Sequence, residues 1–209
     1  GVHISQSDSA PGGDVDIKIR GAGSINASNQ VLVVIDGLPG GSLTALSPDD
    51  IESIEVLKDA SSSAIYGSRA ANGVVLITTK RGKSGEMNVS YENYFGFQRV
   101  NERVDMLNGG EYLQVLSDIN VEGGGAILST PSEISAMGEG YDWQDLIFRS
   151  SLIQNHQVTM DGGSDTSNYY VSLNHLRNEG VIRESGEKKY NARINYGLTP
   201  NEKVSVNLN

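Results

Sequence analysis

The stretch VLVVIDGLPGGSLTALSPDDIESIEVLKDASSSAIYGSRAANGVVLITTKRGK, residues 31–83, decides the fold of this 209-residue chain. Its first apolar run, residues 31–35, predicts a buried strand, and the Asp36-Gly37 dipeptide after it is typical of tight turns. Apolar runs at 54–57 and 74–79 predict two further strands. Strands that alternate with short helices form a small mixed α/β unit. The charged residues among them lack the arrangement of a catalytic centre, which indicates a compact module that gates or carries something.

Two short helices are predicted between these strands. The first follows Ser47 as its N-cap, with Pro48 at the first helical position and Asp50 three residues after the cap. The second is capped by Asp59 and ends at Gly67, because glycine readily adopts the left-handed conformation found at helix ends.

The second half of the chain changes to a period of two, which is typical of strands with one apolar and one polar face. The apolar faces contain Val89, Tyr91, Phe95 and Phe97, then Tyr169, Val171 and Leu173, then Tyr190, Ala192, Ile194, Tyr196 and Leu198, and finally Val204, Val206 and Leu208. The opposite faces contain Ser90, Glu92, Tyr94 and Gln98, then Tyr170, Ser172 and Asn174, then Asn191, Arg193, Asn195 and Gly197, and finally Ser205, Asn207 and Asn209. Turn-rich breaks at 161–164 and 184–187 separate the strands, so a hairpin meander is predicted.

Two interpretations of this meander stay open on the pattern alone. A membrane-crossing β-strand needs about 9–11 residues, with apolar side chains facing outward and polar ones inward. Residues 88–100, 168–178 and 190–198 meet that length approximately. A soluble antiparallel sheet with one face on a core produces the same alternation, and the pattern alone favours it because the barrel signal of each strand is weak.

A helical and loop region is predicted between the first strand of the meander and the later ones. Residues 108–120 predict a short helix, and 121–130, which contain three successive glycines, predict a loop. Residues 131–137 and 142–148 each add a helical turn.

Composition disfavours several classes of protein. The formal net charge of −10 argues against non-specific nucleic-acid binding, which needs clustered cations. The chain has no cysteine, which excludes disulfides, cysteine–zinc sites and thiol nucleophiles. No apolar run reaches the length of a membrane-spanning helix, and the opening GVHISQSDSAPGG lacks the basic start and apolar core of a signal peptide.

Local motifs for catalysis or ligand binding are weak throughout. Gly21-Ala22-Gly23 lacks the remainder of a phosphate-binding loop, and Asp14 with Asp16 lacks the further ligands of a calcium site. The other candidate ligands and nucleophiles stand outside any motif: His3, His156 and His175 without metal-ligand spacing, and Ser61-Ser62-Ser63 without a nucleophile elbow. The sequence therefore predicts no catalytic residue, no cofactor and no metal site.

One family resemblance covers nearly the whole chain. VIDGLP followed by LSPDDIESIEVLKDASSSAIYGSRAANGVVLITTKRGKSG closely resembles the plug-domain signature of the SusC/RagA family of TonB-linked outer-membrane transporters. A weaker likeness continues in DVDIKIRGAGSI upstream and in VSYENYFGFQ, LNGGEYL, YDWQDLIF and NHQVTMDGGSDTSNYYVSLNHLRNEGVI downstream.

The resemblance implies an α+β fold in two parts. Residues 1–85 correspond to an N-terminally incomplete plug domain, and 86–209 to the beginning of a transmembrane β-barrel with an inserted helical and loop region at about 101–150. By the same analogy residues 49–52 form the short first helix. In plugged transporters of this kind the barrel has about 22 strands. The resemblance makes the barrel interpretation of the meander the stronger one.

The resemblance also implies a function and a set of partners. The expected function is uptake of nutrients, most often oligosaccharides and sometimes peptides, through the Gram-negative outer membrane, with the plug gating the barrel. The expected partners are the TonB complex, acting through a segment absent here, and a SusD-like surface lipoprotein. The signature residues carried over as structural and plug–barrel contacts are Asp36, Gly37, Asp49, Asp50, Glu52, Glu55, Lys58, Asp59, Tyr66, Gly67, Arg69, Asn72 and Gly73.

The chain departs from the family pattern in ways that predict an excised fragment. It lacks the TonB-interacting box and a preceding domain, and it contains only about five barrel strands, whose edges cannot stay unpaired in lipid. The isolated chain is therefore expected to self-associate through strand edges. One alternative is a soluble, non-enzymatic ligand-binding or adhesion module that reuses the plug fold. A glycan-cleaving enzyme would need a carboxylate pair such as Glu52 and Glu55, whose charges are explained more simply as surface residues.

Overall fold

The computed structural model describes residues 2–6, 10–13, 15–19, 30–59, 64–201 and 203–209. These residues form two compact units. The first comprises Gly1–Gly96, Leu152–Gly180 and Ser185–Asn209, and the second comprises Phe97–Ser151 and Val181–Glu184. The predicted helix positions Ala60 to Ser63, together with Asp14 and the Gly21-Ala22-Gly23 segment, lie outside the described residues.

The N-terminal part of the first unit contains two small sheets. The six strands are β1 (Val2–Gln6), β2 (Val15–Ile19), β3 (Leu32–Ile35), β4 (Leu38–Pro39), β5 (Ile51–Leu57) and β6 (Val74–Thr79). Strands β1 and β2 pair antiparallel, while the other four form a mixed sheet in the order β4-β3-β6-β5. Strand β6 lies at the centre of the mixed sheet, parallel to β3 and antiparallel to β5. The strands predicted at 31–35, 54–57 and 74–79 are confirmed, and β5 begins three residues earlier than predicted.

Strand β6 is apolar on both faces because both faces are covered. Val75 and Ile77 pack with Ile19 and Leu46 in one buried cluster, while Val74 packs with other residues in a second cluster. A strand buried on both sides appears in the sequence as an unbroken apolar run rather than an alternation. The run of residues 74–77 therefore marks the centre of the hydrophobic core.

The predicted turn at Asp36-Gly37 is confirmed. Both residues have positive φ, 49° for Asp36 and 87° for Gly37, and they connect β3 to β4. Two successive left-handed residues produce the turn whose twist matches an antiparallel hairpin.

The helix start predicted at Ser47 is confirmed in position, with Pro48 as the first helical residue, but the expected side-chain cap does not form. Pro48–Asp50 is a single 3₁₀ turn, and the Ser47 side chain makes no capping hydrogen bond. The chain enters β5 at Ile51, so Ile51 and Glu52 belong to a strand and not to the helix that the family analogy implied. The side chains of Ser47 and Asp50 instead contact strands more than a hundred residues away.

The helical segment predicted to end at Gly67 continues past it. Ala64–Ala70 consists of 3₁₀ turns on both sides of Gly67, whose φ of 68° and ψ of −156° are not helical. Gly67 is therefore a kink inside the segment, because its lack of a Cβ permits a conformation that other residues adopt only under strain.

A five-stranded antiparallel meander forms the remainder of the sheet structure. Its strands are β7 (Gly85–Gln98), β8 (Ser151–Gly163), β9 (Ser167–Glu179), β10 (Gly186–Asn201) and β11 (Val204–Leu208). They neighbour one another in chain order, and in the described residues they form an open sheet and no closed barrel. The α+β fold class and the hairpin meander are confirmed.

The polar face of the meander is the buried one. Gln157, Ser172, Asn174 and Asn195 are each at most 6% exposed, whereas Leu173 and Ile194 on the opposite face are 57% and 64% exposed. A soluble sheet packed on its own core has the reverse arrangement. The structure therefore resolves the ambiguity of the alternating pattern in favour of a sheet with a polar interior.

An aromatic row crosses the exposed face of the meander. His156 and His175 are paired across β8 and β9 and their rings are stacked, with centroids 6.3 Å apart. Tyr91 and Tyr190 extend the row on either side, and the Tyr91 hydroxyl lies 2.7 Å from Nδ1 of His156. Two histidines that are far apart in the sequence thus meet as cross-strand neighbours.

The second unit contains three short helices, α1 (Gly109–Glu122), α2 (Pro131–Met137) and α3 (Trp143–Ile147). The three helical predictions for this region are confirmed. Helices α1 and α2 begin with capping boxes, formed by Asn108 with Glu111 and by Thr130 with Glu133. The N–H and hydroxyl of Thr130 hold the pKa of Glu133 below its ordinary value. None of the helices in the described part of the chain has the length and apolarity needed to cross a membrane.

Candidate functional site

The candidate site is a buried polar contact between the mixed sheet and the interior face of the meander, inside the first unit. The mixed sheet supplies the ends of β3 and β6 and the 3₁₀ turn at Pro48–Asp50. The meander supplies polar side chains from β8, β9 and β10. We call this set of contacts the polar latch.

Asp36 holds the end of β6 and faces the meander. Its carboxylate accepts hydrogen bonds from the Thr79 backbone N–H at 2.9 Å and from the Thr79 hydroxyl at 2.6 Å. The parallel strands β3 and β6 end at the same edge of the sheet, which brings these two residues together. The remaining Asp36 oxygen contact is with Arg193 of β10, whose Nη1 lies 3.6 Å from Oδ2.

Asp50 is the second carboxylate of the polar latch, and its side chain is only 2% exposed. Its Oδ1 accepts hydrogen bonds from Gln157 Nε2 and from the Tyr170 hydroxyl, each at 3.0 Å. Its Oδ2 lies 3.9 Å from Arg193 Nε. One residue of the 3₁₀ turn is thus tied to three different strands of the meander.

Arg193 is a cation shared by both buried carboxylates. Its side chain is 19% exposed, while those of Asp36 and Asp50 are each 2% exposed. A buried charge without a partner is costly, and removing one partner of such a group destabilises a protein by about 3–5 kcal/mol. The two carboxylates therefore depend on the guanidinium as well as on their neutral hydrogen-bond donors.

A chain of amide side chains completes the contact on the β8 and β9 side. Oε1 of Gln157 accepts from the Ser47 hydroxyl at 3.2 Å and from Asn174 Nδ2 at 3.1 Å. The Asn174 amide also donates to Asn155 Oδ1 at 2.8 Å, and Asn155 Nδ2 donates to Asp49 at 2.8 Å. Buried amides remain stable only when their donors and acceptors are satisfied.

Thr79 and Asn195 close the contact on the β10 side. The Thr79 hydroxyl donates to Asp36 and accepts from Asn195 Nδ2 at 3.1 Å. Asn195 Nδ2 also donates to the Lys80 carbonyl at 2.7 Å. The last strand of the mixed sheet is thus fixed to the fourth strand of the meander.

The predicted signature residues divide into three groups. Asp36, Asp49 and Asp50 take part in the polar latch. Tyr66, Asn72 and Gly73 are at least half-buried within the unit, where Tyr66 packs on the cluster of Val34, Ala70 and Val74. The remaining signature residues are exposed: Gly37, Glu52, Glu55, Lys58, Asp59, Gly67 and Arg69.

Sequence reasoning missed the meander half of the polar latch and two residues of the mixed-sheet half, Ser47 and Thr79. The residues that it did not single out as site residues are Ser47, Thr79, Gln157, Tyr170, Asn174, Arg193 and Asn195. One signal was available: Arg193 and Asn195 stand two residues apart on the same polar face of a strand. A face that carries an arginine and an asparagine at that spacing presents a charge and an amide to the same neighbour.

The geometry of the polar latch holds two surfaces together. Carboxylates, amides and hydroxyls engage one another in hydrogen bonds, and each carboxylate is compensated by donors from the opposite surface. Such a network fixes orientation and register between two elements. The fold and the contact together define a small α/β domain seated against the polar face of a β-meander.

Comparison with known proteins identifies this arrangement. Residues 1–74 match the family model described as "TonB-dependent Receptor Plug Domain". The TonB-dependent receptor SusC of Bacteroides thetaiotaomicron is 40% identical over 205 residues, covering 93% of this chain and 20% of that protein. TonB-dependent receptor P3 of Formosa agariphila is 38% identical over 213 residues, covering all of this chain and 20% of that protein.

A solved structure agrees with the sequence relatives. The RagAB peptide transporter superimposes with a TM-score of 0.88 at 27% identity, over 99% of this chain and 27% of that chain. The chain belongs to the SusC/RagA family of TonB-linked receptors. It spans about a fifth of the length of the curated relatives that it matches.

Proposed function

We propose that this chain supplies the plug and the first barrel strands of an outer-membrane importer, and that the polar latch holds the plug closed. In this proposal residues 1–85 are the plug and 86–209 begin the barrel, with residues 101–150 inserted between strands. Asp36, Asp49 and Asp50 are plug–barrel contacts. The observation that carries the proposal is the pair of buried carboxylates bound by side chains of β8, β9 and β10.

A polar contact suits a gate that must open. Separating an apolar interface costs about 25 cal/mol of free energy for each Å² exposed to water, and apolar groups form no new hydrogen bonds with water that would offset it. Polar side chains exchange their hydrogen bonds for water when the surfaces separate, so each bond contributes only about 0.5–1.5 kcal/mol net. The polar latch therefore fixes the plug in one position while leaving it removable by an applied force.

The cargo and partners follow from the relatives. The proposed energy source is the TonB complex, and the proposed second component is a SusD-like surface lipoprotein. The proposed cargo is an oligosaccharide, in line with the family's most common substrates, and the peptide named for RagAB is the competing class. The exposed apolar face of the meander disfavours the soluble-module alternative, because monomeric soluble proteins seldom expose large apolar patches.

Permeability of the full-length receptor tests the latch. The full-length product of the gene is expressed in Gram-negative cells with and without TonB, carrying Asp50→Asn or Arg193→Gln. Both variants are expected to admit a bulky antibiotic that the outer membrane normally excludes, in either background, because each leaves a buried group unpaired. Glu122→Gln, at an exposed site on α1, is the control and is expected to stay impermeable.

Two outcomes would contradict the proposal. If Asp50→Asn and Arg193→Gln both remain impermeable, the latch does not hold the plug. If deletion of the gene leaves TonB-dependent growth unchanged on neutral oligosaccharides and on peptides alike, the importer function itself is wrong.

A further inference from the structure

A cavity of about 520 Å³ lies in the second unit. Two segments line it: Arg103, Val104, Asp105, Met106, Leu107 and Asn108 on one side, and Glu139, Gly140, Tyr141, Asp142, Trp143 and Gln144 on the other. Its volume falls within the range of small-molecule sites, about 300–1,000 Å³.

The walls of this cavity are fixed by hydrogen bonds between the two segments. The Gln144 side chain accepts from the Val104 N–H at 3.1 Å, and its Nε2 donates to the Val104 carbonyl at 2.6 Å. Arg103 forms an ion pair with Asp145 and lies 3.8 Å from Asp142. A cavity with walls held in this way does not have to order them when a ligand binds.

Two exposed aromatic side chains, Tyr141 and Trp143, are among the residues that line the cavity. Tyr141 is 80% exposed and Trp143 is 67% exposed, and their ring centroids are 6.3 Å apart at an angle of 50°. Trp143 is the first residue of helix α3, and it is the single tryptophan of the chain. Exposed rings at the rim of a cavity present flat apolar faces that a ligand can cover.

Hydrogen-bonding groups with free capacity complete the site. The carboxylates of Asp105 and Glu139 have no protein partner among the described residues, and both line the cavity. The Trp143 indole N–H is a donor, and the Tyr141 hydroxyl both donates and accepts. The cavity thus combines apolar ring faces with donors and acceptors at its rim.

We propose that this cavity binds a neutral pyranose unit of the transported oligosaccharide, stacked on Trp143 and Tyr141 and hydrogen-bonded to Asp105 and Glu139. The proposal deepens the function proposed above and rests on it. A sugar ring presents an apolar face of C–H groups together with hydroxyls that both donate and accept, which matches the mixed lining. A cationic peptide would use the acceptors, but it would also meet the fixed guanidinium of Arg103 in the wall.

Binding to the purified full-length receptor tests this site. The probes are an array of neutral oligosaccharides and an array of short peptides rich in lysine and arginine, with hits measured by calorimetry. An oligosaccharide is expected to bind the unchanged receptor, and Trp143→Ala or Tyr141→Ala is expected to weaken its binding about tenfold, because each removes an aromatic face that the ligand covers. Trp143→Phe keeps a ring and is expected to retain part of the affinity.

Matched controls separate stacking from damage to the fold. Tyr112→Ala removes an exposed tyrosine of α1 that does not line the cavity, and it is expected to leave oligosaccharide affinity unchanged. The antibiotic-permeability measurement uses no cargo, so it reports on the latch whatever the cavity binds.

Three results would overturn the inference. Equal oligosaccharide affinity in the unchanged receptor, Trp143→Ala and Tyr141→Ala would place the sugar elsewhere and leave the importer function intact. Binding of cationic peptides in place of sugars, lost in the same variants, would show that the cavity takes the other ligand class. If neither array binds the unchanged receptor, the cavity is no cargo site, and growth of the deletion strain then decides the importer function.

Discussion

The mixed sheet and the meander are both β structures in one unit, and they bury opposite kinds of surface. Strand β6 of the mixed sheet places Val74, Val75 and Ile77 in the core. Strand β9 of the meander buries Ser172 and Asn174 and exposes Leu173. The mixed sheet is held by its own apolar core, whereas the buried face of the meander consists of groups that need hydrogen-bond partners.

This difference explains why the contact between the two regions is polar. The apolar side chains of the mixed sheet pack in its own core. The edge that contacts the meander therefore carries polar side chains such as Asp36 and Thr79. The meander meets that edge with amides and Arg193. The lesson is that a sheet whose polar face is buried needs a polar neighbour, and the family relationship agrees with a plug filling that place.

The largest effect is expected from a test that removes the shared cation. Arg193→Met leaves Asp36 and Asp50 without their guanidinium and is expected to lower the free energy of unfolding of this chain by about 3–5 kcal/mol. Arg177→Met is the control, because Arg177 pairs with Glu179 at a half-exposed site of β9 and is expected to cost less than about 1 kcal/mol. Urea denaturation followed by circular dichroism measures both. Equal losses of stability in the two variants would mean that Arg193 and its buried carboxylates stabilise the chain no more than the half-exposed pair of Arg177 and Glu179.

A second test compares isoleucines from the two regions. Ile77→Ala removes a side chain that is 2% exposed in the mixed-sheet core, and it is expected to cost about 2–5 kcal/mol. Ile194→Ala removes the same atoms from the exposed face of β10, and the expected change is within about 0.5 kcal/mol. The same denaturation experiment measures both variants. A large loss at Ile194 would show that the apolar face is covered in solution.

The smallest change in stability is expected from charging the exposed apolar face. The isolated chain is predicted to self-associate, because the meander exposes that face and its strand edges. The double variant Leu173→Lys with Ile194→Lys is expected to shift sedimentation toward the monomer while changing unfolding by only about 0.5 kcal/mol. The control pair Asp118→Lys with Glu122→Lys, at exposed sites of α1, is expected to leave association unchanged. If the Leu173→Lys, Ile194→Lys variant sediments like the unchanged chain, the apolar face does not drive self-association and the strand edges do.

The elements that local chemistry specifies could be predicted well from the sequence. Asn108 caps α1 and Thr130 caps α2, since each side chain bonds a backbone N–H three residues later. The alternating pattern did not predict strand β8. Its segment Gln154-Asn155-His156-Gln157 is polar on both faces, because one face meets the polar latch and the other carries part of the aromatic row.

The candidate site could be predicted only in part. Asp36, Asp49 and Asp50 were singled out through the family signature, but the local pattern placed Asp50 only at the start of a helix, three residues after Ser47. A serine followed three residues later by a carboxylate is typical of a helix start, whether or not the serine side chain makes a capping hydrogen bond. The competing partners, Gln157 and Tyr170, stand 107 and 120 residues away and leave no trace near Asp50 in the sequence.

The sequence by itself determined the local elements: the apolar run of β6, the left-handed turn at Asp36-Gly37, the caps of α1 and α2 and the period of two in the meander. These depend on side chains within a few residues of one another. The tertiary structure alone decided which face of the meander is buried and which carboxylates share Arg193. Alternation is symmetric between the two faces of a strand, so only a neighbouring surface, here the edge of the mixed sheet, assigns one of them to the interior.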